Sequence, residues 1–132
     1  MSITEQDQVK NEYYREAIRY MDNAKEYLKN AQKDGDFYHD KKYVKTACGT
    51  AYSGVLVALD GFLKLKDIKS RGKERKSIEY YQSNVAKIDK KMLDYLINAY
   101  KILHLWGGVS KISLFRKITS CYFFIYFLFF CK

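Results

Sequence analysis

A chain of 132 residues fits one domain with an ordinary hydrophobic core, and it contains no proline; since proline removes a helical hydrogen bond and clashes with the preceding turn, this suits long uninterrupted helices. The net charge of +9 is unevenly placed, with nine basic and ten acidic residues in 1–63, fifteen and five in 64–132, and Asp94 the last acid. A basic half of this kind attracts nucleic acid, anionic lipid or an acidic protein. Three cysteines without C-x-x-C or zinc-type spacing argue against a disulfide scaffold and a zinc finger, and fit a reducing cytoplasm.

The N-terminus lacks the apolar run of a signal peptide. A first helix is expected over Glu5–Lys33, where Tyr13, Ala17, Tyr20, Met21, Ala24, Leu28 and Ala31 form one apolar stripe and the charged residues lie mostly off it. Thr4 is the expected N-cap, and Asp34-Gly35-Asp36 the stop.

The stretch Tyr43–Lys66, capped by Asp36 or Asp40, reads as the central helix. Val44, Cys48, Ala51, Tyr52, Val55, Leu59, Phe62 and Leu63 recur at the spacing of one helix face. A second face of Ala47, Gly49, Ser53, Gly54 and Ala58 admits a neighbouring backbone. Each glycine inside a helix costs about 1 kcal/mol against alanine, so close packing is expected to offset Gly49, Gly54 and Gly61. The two helices would form an antiparallel hairpin.

After Leu65 the apolar pattern fails. Between Lys64 and Lys76 stand seven basic residues and two acids, with Gly72 as the expected turn. Lys69, Arg71, Lys73, Arg75 and Lys76 are a candidate phosphate-contacting patch, or else a solvated connection without a base-reading motif. A short third helix is expected over Lys73–Ala86, with Ile78, Tyr81 and Val85 on one face. A fourth follows over Lys90–Trp106, capped by Asp89, carrying Leu93, Leu96, Ile97, Tyr100, Leu103 and Trp106 and stopped by Gly107-Gly108.

The segment 109–132 changes character. Residues 121–131 are all apolar, aromatic or cysteine, with no helical periodicity apparent. Eleven residues are too few to cross a bilayer core of about 30 Å as a helix. Three readings stay open: a buried fifth helix, a membrane-surface or partner-binding tail assisted by Arg116 and Lys117, or the product of a frame disruption. Mass spectrometry of the natural protein would expose the last as a different terminus.

No P-loop, dinucleotide-binding or G-x-S-x-G motif occurs. His39 sits among Asp36, Tyr38 and Asp40 without paired ligand spacing, so it reads as a residue of a capping region, and no metal or cofactor is expected. His104, in NAYKILHLWGG, shares a helix side with Tyr100, four residues before it. Asn98, six before it, lies about 600° around an α-helix and points elsewhere unless the helix end unwinds. The plainer expectation is that His104 and Trp106 finish the bundle core and cap the helix.

The small-residue helix AYSGVLVALDGFLKLK, the basic connection and a helix ending NAYKILHLWGG together resemble the HEPN superfamily over about Glu5–Gly108. The resemblance implies an all-α antiparallel bundle of four or five helices, commonly dimeric. It also implies either RNA cleavage or a non-catalytic role beside a nucleotidyltransferase. Its nucleases carry Arg, four to six residues, then His. For His104 the allowed arginine positions are Ile97, Asn98 and Ala99; for His39 they are Gln32, Lys33 and Asp34. None is arginine, so the guanidinium that would stabilise developing phosphate charge is missing and the non-catalytic branch is favoured.

The leading expectation is therefore a cytoplasmic, bacterial, HEPN-like bundle over residues 1–108 with an atypical segment over 109–132. It would be a non-enzymatic binding or regulatory module, as a homodimer or a nucleotidyltransferase partner, with RNA or nucleotide as further ligands. The alternatives are a degenerate RNase using His104 with Asn98 or Tyr100, and a membrane-surface protein using the tail.

Overall fold

A computed structural model describes residues 2–31, 33–34, 37–38, 41–68, 76–105 and 113–130. It is an all-α bundle of five helices, with one very short β ladder between the first two.

Helix α1 (Ile3–Asn30) starts at Ser2, not Thr4: Ser2 Oγ accepts from Glu5 N at 3.2 Å, and Glu5 Oε2 accepts from Ser2 N at 3.4 Å. A serine followed three residues later by glutamate satisfies two free backbone donors reciprocally. The helix also ends earlier than expected. Ala31 is its C-cap in extended conformation, and β1 (Lys33–Asp34) pairs antiparallel with β2 (Phe37–Tyr38). The expected turn and caps at Gly35, Asp36 and Asp40, and His39, lie outside the described residues.

Helix α2 (Lys41–Leu65) is central. Val44, Ala47, Cys48, Ala51, Gly54, Val55, Ala58, Leu59, Gly61, Phe62 and Leu63 are all buried, so it is packed on two sides. The expected small-residue face is corrected in part, because Gly49 and Ser53 are exposed. A methyl group on Gly49 would meet nothing within 4 Å, whereas one on Gly54 would approach Tyr20 Cβ and Met21 Cε to 2.8 Å, and one on Gly61 would run into the ring of Tyr13. Close approach therefore concentrates at two glycines. Since Gly61 meets Tyr13, and Gly54 meets the Ala17–Met21 turn, α1 and α2 run antiparallel. The end of α2 is closed by Asp67, whose φ of 58° supplies the left-handed residue, with Asp67 N donating to Lys64 O and Ile68 N to Leu63 O.

Helix α3 (Ile78–Ala86) begins later than expected, because Ser77 Oγ accepts from Tyr80 N at 3.3 Å and fixes the start. Helix α4 (Lys90–Ala99) starts at the expected cap, where Asp89 Oδ1 accepts from Lys91 N at 2.8 Å. It continues as a π-helical turn over Tyr100–Leu105, a departure from the single α-helix expected to Trp106.

Helix α5 (Ser113–Phe130) corrects the impression that the C-terminal segment lacks periodicity. Ile118, Cys121, Ile125 and Leu128 are buried at a helical interval, joined by Phe124 and Phe129. The signal is hidden in the sequence because the opposite face is aromatic too. Helix α5 runs antiparallel to α1, with Phe129 and Phe130 edge-on to Tyr14 at one end. At the other, Lys25 Nζ lies over the rings of Phe115 and Tyr122, 5.1 and 4.5 Å from their centroids, and the Tyr122 hydroxyl donates to Asp22. Its buried residues belong to the same core as those of α1 and α2. Among the described residues, α2 alone is long and apolar enough to cross a membrane, and over half of its apolar window is buried in the bundle.

Candidate functional site

His104 is brought to Tyr52 of α2 and to Tyr100 of its own turn. Its ring stacks on Tyr100 with centroids 5.1 Å apart and planes 22° apart, and lies 5.0 Å from Tyr52; the two tyrosines are 5.9 Å apart. His104 is exposed while both tyrosines are half-buried, so the histidine covers the tyrosines and does not itself fill the core. Burial, the nearby phenol of Tyr100 and the carboxylate of Glu79 push the Tyr52 hydroxyl up to about 12. Trp106 lies outside the described residues.

Asn98 takes a different side of the helix. With Tyr95, Ala99, Ile102, Lys117, Ser120 and Cys121 it lines a cavity of about 320 Å³ between α4 and α5. The π turn thus leaves Asn98 facing α5 and His104 facing α2. Of the three expected catalytic residues, Tyr100 and His104 meet and Asn98 does not join them.

The basic connection has one described member among its five candidates. Lys76 Nζ donates to Asp60 Oδ1 at 2.9 Å, and the same oxygen accepts from the buried Tyr81 hydroxyl at 2.9 Å. Burial acts to lower the Lys76 pKa, but the hydrogen bond and charge of Asp60 outweigh it and raise it. Burial is also the first cause raising the Tyr81 pKa, with Asp60 adding to it. Lys76 thus has a structural partner joining α2 to the start of α3. Lys69, Arg71, Lys73 and Arg75 lie outside the described residues.

Neither buried thiol is set up as a nucleophile. Burial pushes both Cys48 and Cys121 up to about 11, the reverse of an activated cysteine. Among the described residues no group of three or more His, Cys, Asp or Glu side chains could hold a metal ion.

A feature that the sequence reading passed over is the seam between α4 and α5. Tyr95 stacks flat on Phe124 with centroids 4.0 Å apart, and its hydroxyl lies 3.4 Å from Ser120 Oγ. Beyond this pair a groove of about 530 Å³ opens, lined by Lys91, Met92, Phe123, Tyr126 and Phe127. The missed signal was available as Phe123, Phe127 and Phe130, spaced by four and three residues on the side of α5 away from Ile118, Cys121 and Ile125.

A family model described as a domain of unknown function (DUF5618) matches residues 12–116. The chain belongs to the DUF5618 family. A solved structure described as a protein of unknown function from Dyadobacter fermentans is 37% identical, with a TM-score of 0.74, covering 87% of this chain and 94% of that one. No curated protein matches. The family match takes in the hairpin, α3, α4 and the first residues of α5, and ends at Arg116, before the aromatic part of that helix.

Proposed function

We propose that this DUF5618 protein is a non-enzymatic helical binding or regulatory module, cytoplasmic and bacterial, built on a HEPN-like plan. The observation that carries this reading is the separation of Asn98, facing α5, from His104, stacked against Tyr52 and Tyr100 on the α2 side. Phosphoryl-transfer chemistry needs an acid–base group and a charge-stabilising group converging on one reacting atom. Here the position that would carry the stabilising group is an asparagine on another face. The exposed aromatic rings of α5 and the basic second half supply surfaces for contact instead. The partner is a second copy, a nucleotidyltransferase or an RNA.

The test is to purify the protein, measure its mass in solution and assay nucleotide, RNA and co-encoded nucleotidyltransferase binding across a salt series. The expected result is at least one partner bound as well by His104→Ala as by the parent. A monomer that binds none of these, and no other surface, would leave the reading without content.

A second reading rests on the exposure of His104. In it the histidine is the general base of a degenerate RNase, with Tyr100 positioning it, and His104→Ala abolishes cleavage while the bundle stays folded.

A further inference from the structure

Helix α5 is apolar on both sides over its last two turns. A helix apolar all round is normally covered all round, yet Phe123 is 73% exposed, and Phe127, Phe130 and Tyr126 are exposed with it. Phe123, Phe127 and Phe130 follow one another at helical spacing along a single stripe, and Arg116 continues that stripe two turns back toward the N-terminus of the helix. Aromatic side chains bury roughly 150–250 Å² each, so four of them about half exposed make a patch of several hundred Å². A patch of this size is the mark of a docking surface.

The rim identifies what docks. Lys91, exposed, lines the groove beside Phe123 and Phe127, and the exposed Arg116 stands in line with the rings. Lys10 Nζ lies 5.4 Å from the centroid of the Phe130 ring on the other side. On α4, Asp89 caps the helix and the exposed Asp94, three residues after Lys91, offsets part of this charge. Helix α5 itself contains no acid.

Aromatic rings within a frame of cations match the two layers of an anionic membrane surface. The rings enter the boundary below the headgroups while the cations reach the phosphates. A second copy in the same place fits less well, since two-fold pairing would bring Lys91 and Arg116 of one copy toward those of the other.

We propose that the α4–α5 face docks on an anionic lipid surface, with Phe123, Phe127 and Phe130 entering it and Lys91 and Arg116 binding phosphate headgroups. This rests on the reading of the protein as a binding module and names the surface and the partner.

The test is flotation of the full chain with vesicles of phosphatidylglycerol and phosphatidylcholine, beside vesicles of phosphatidylcholine alone. The parent is expected to float with the anionic vesicles only. F123S/F127S should lose at least tenfold in vesicle affinity, and K91Q/R116Q about fivefold per charge at low salt. Circular dichroism checks that both variants, altered only at exposed positions, keep the parental helix content. A folded parent that does not float, or that floats equally with neutral vesicles, overturns the proposal. If the non-floating parent is a dimer that F123S/F127S makes monomeric, the face belongs to a second copy and the module reading survives. If it binds neither vesicles, itself, RNA nor protein, both readings fall together.

Discussion

Gly49 and Gly54 sit on one helix with opposite surroundings, which separates intrinsic helix preference from packing. Gly49 is exposed with open space where a Cβ would go, so Gly49→Ala should stabilise the protein by about 0.5–1 kcal/mol. Gly54 has Tyr20 Cβ at 2.8 Å and Ala17 O at 3.2 Å from the same position, and Gly54→Ala should destabilise it by about 1–3 kcal/mol. Urea unfolding of both variants checks the pair, since propensity alone would make both stabilising. Sequence could pick out three glycines in a helix but could not say which met a neighbour, because that depends on how α1 lies across α2. The same limit hid the fate of Lys76, which one carboxylate sixteen residues upstream removes from the set of free cations.

Asp60 is the residue that closes that network, accepting from both Lys76 and Tyr81. Asp60→Ala would leave the Tyr81 hydroxyl without its acceptor and should cost about 1–3 kcal/mol, while Asp60→Asn, which keeps an acceptor oxygen, should cost less. Chemical denaturation of the two variants provides the comparison. Cys48 and Cys121 should react slowly with thiol reagents at neutral pH in the folded protein and rapidly once it is unfolded. Their thiols titrate near 11 when folded and near 9 when exposed. The folded state therefore holds protons that the unfolded state releases, so the contribution of these two thiols to stability is constant below about pH 9 and is lost from there toward pH 11. The raised hydroxyls of Tyr52, Tyr81, Tyr95 and Tyr122 extend the loss in the same direction. A plot of denaturation midpoint against pH should turn down on the alkaline side.

Among the elements, the hairpin of α1 and α2 was the most legible, because long stripes at three-and-four spacing have one solution. Asp89 was equally clear, a capping residue directly ahead of an apolar-periodic run. The ends were less so: α1 is capped at Ser2 with its partner Glu5, two residues before Thr4, and a left-handed Asp67 closed α2 where no glycine marks the position. The π turn carried no sequence signal, yet it places His104 on Tyr52. Helix α5 was obscured by its own chemistry. A helix whose buried face is Ile118, Cys121, Ile125 and Leu128 and whose exposed face is Phe123, Phe127 and Phe130 has nearly uniform hydropathy, so only the packing tells the faces apart.

At the scale of the molecule, α1, α2, α4 and α5 form the bundle, and α3 is fastened to it through Tyr81 and Asp60. The His104 stack lies where the α4 π turn meets α2, and the exposed aromatic face lies along the α4–α5 seam. The DUF5618 match covers the former and stops at Arg116, before the latter. In the proposed function the surroundings of His104 serve packing and binding, with no hydrolysis of RNA. Its most direct test is a single-turnover assay with the folded protein in excess over end-labelled RNA, and His104→Ala alongside. Intact RNA is expected with both proteins. Cleavage by the parent that disappears in a folded His104→Ala variant would contradict it and make the protein a nuclease.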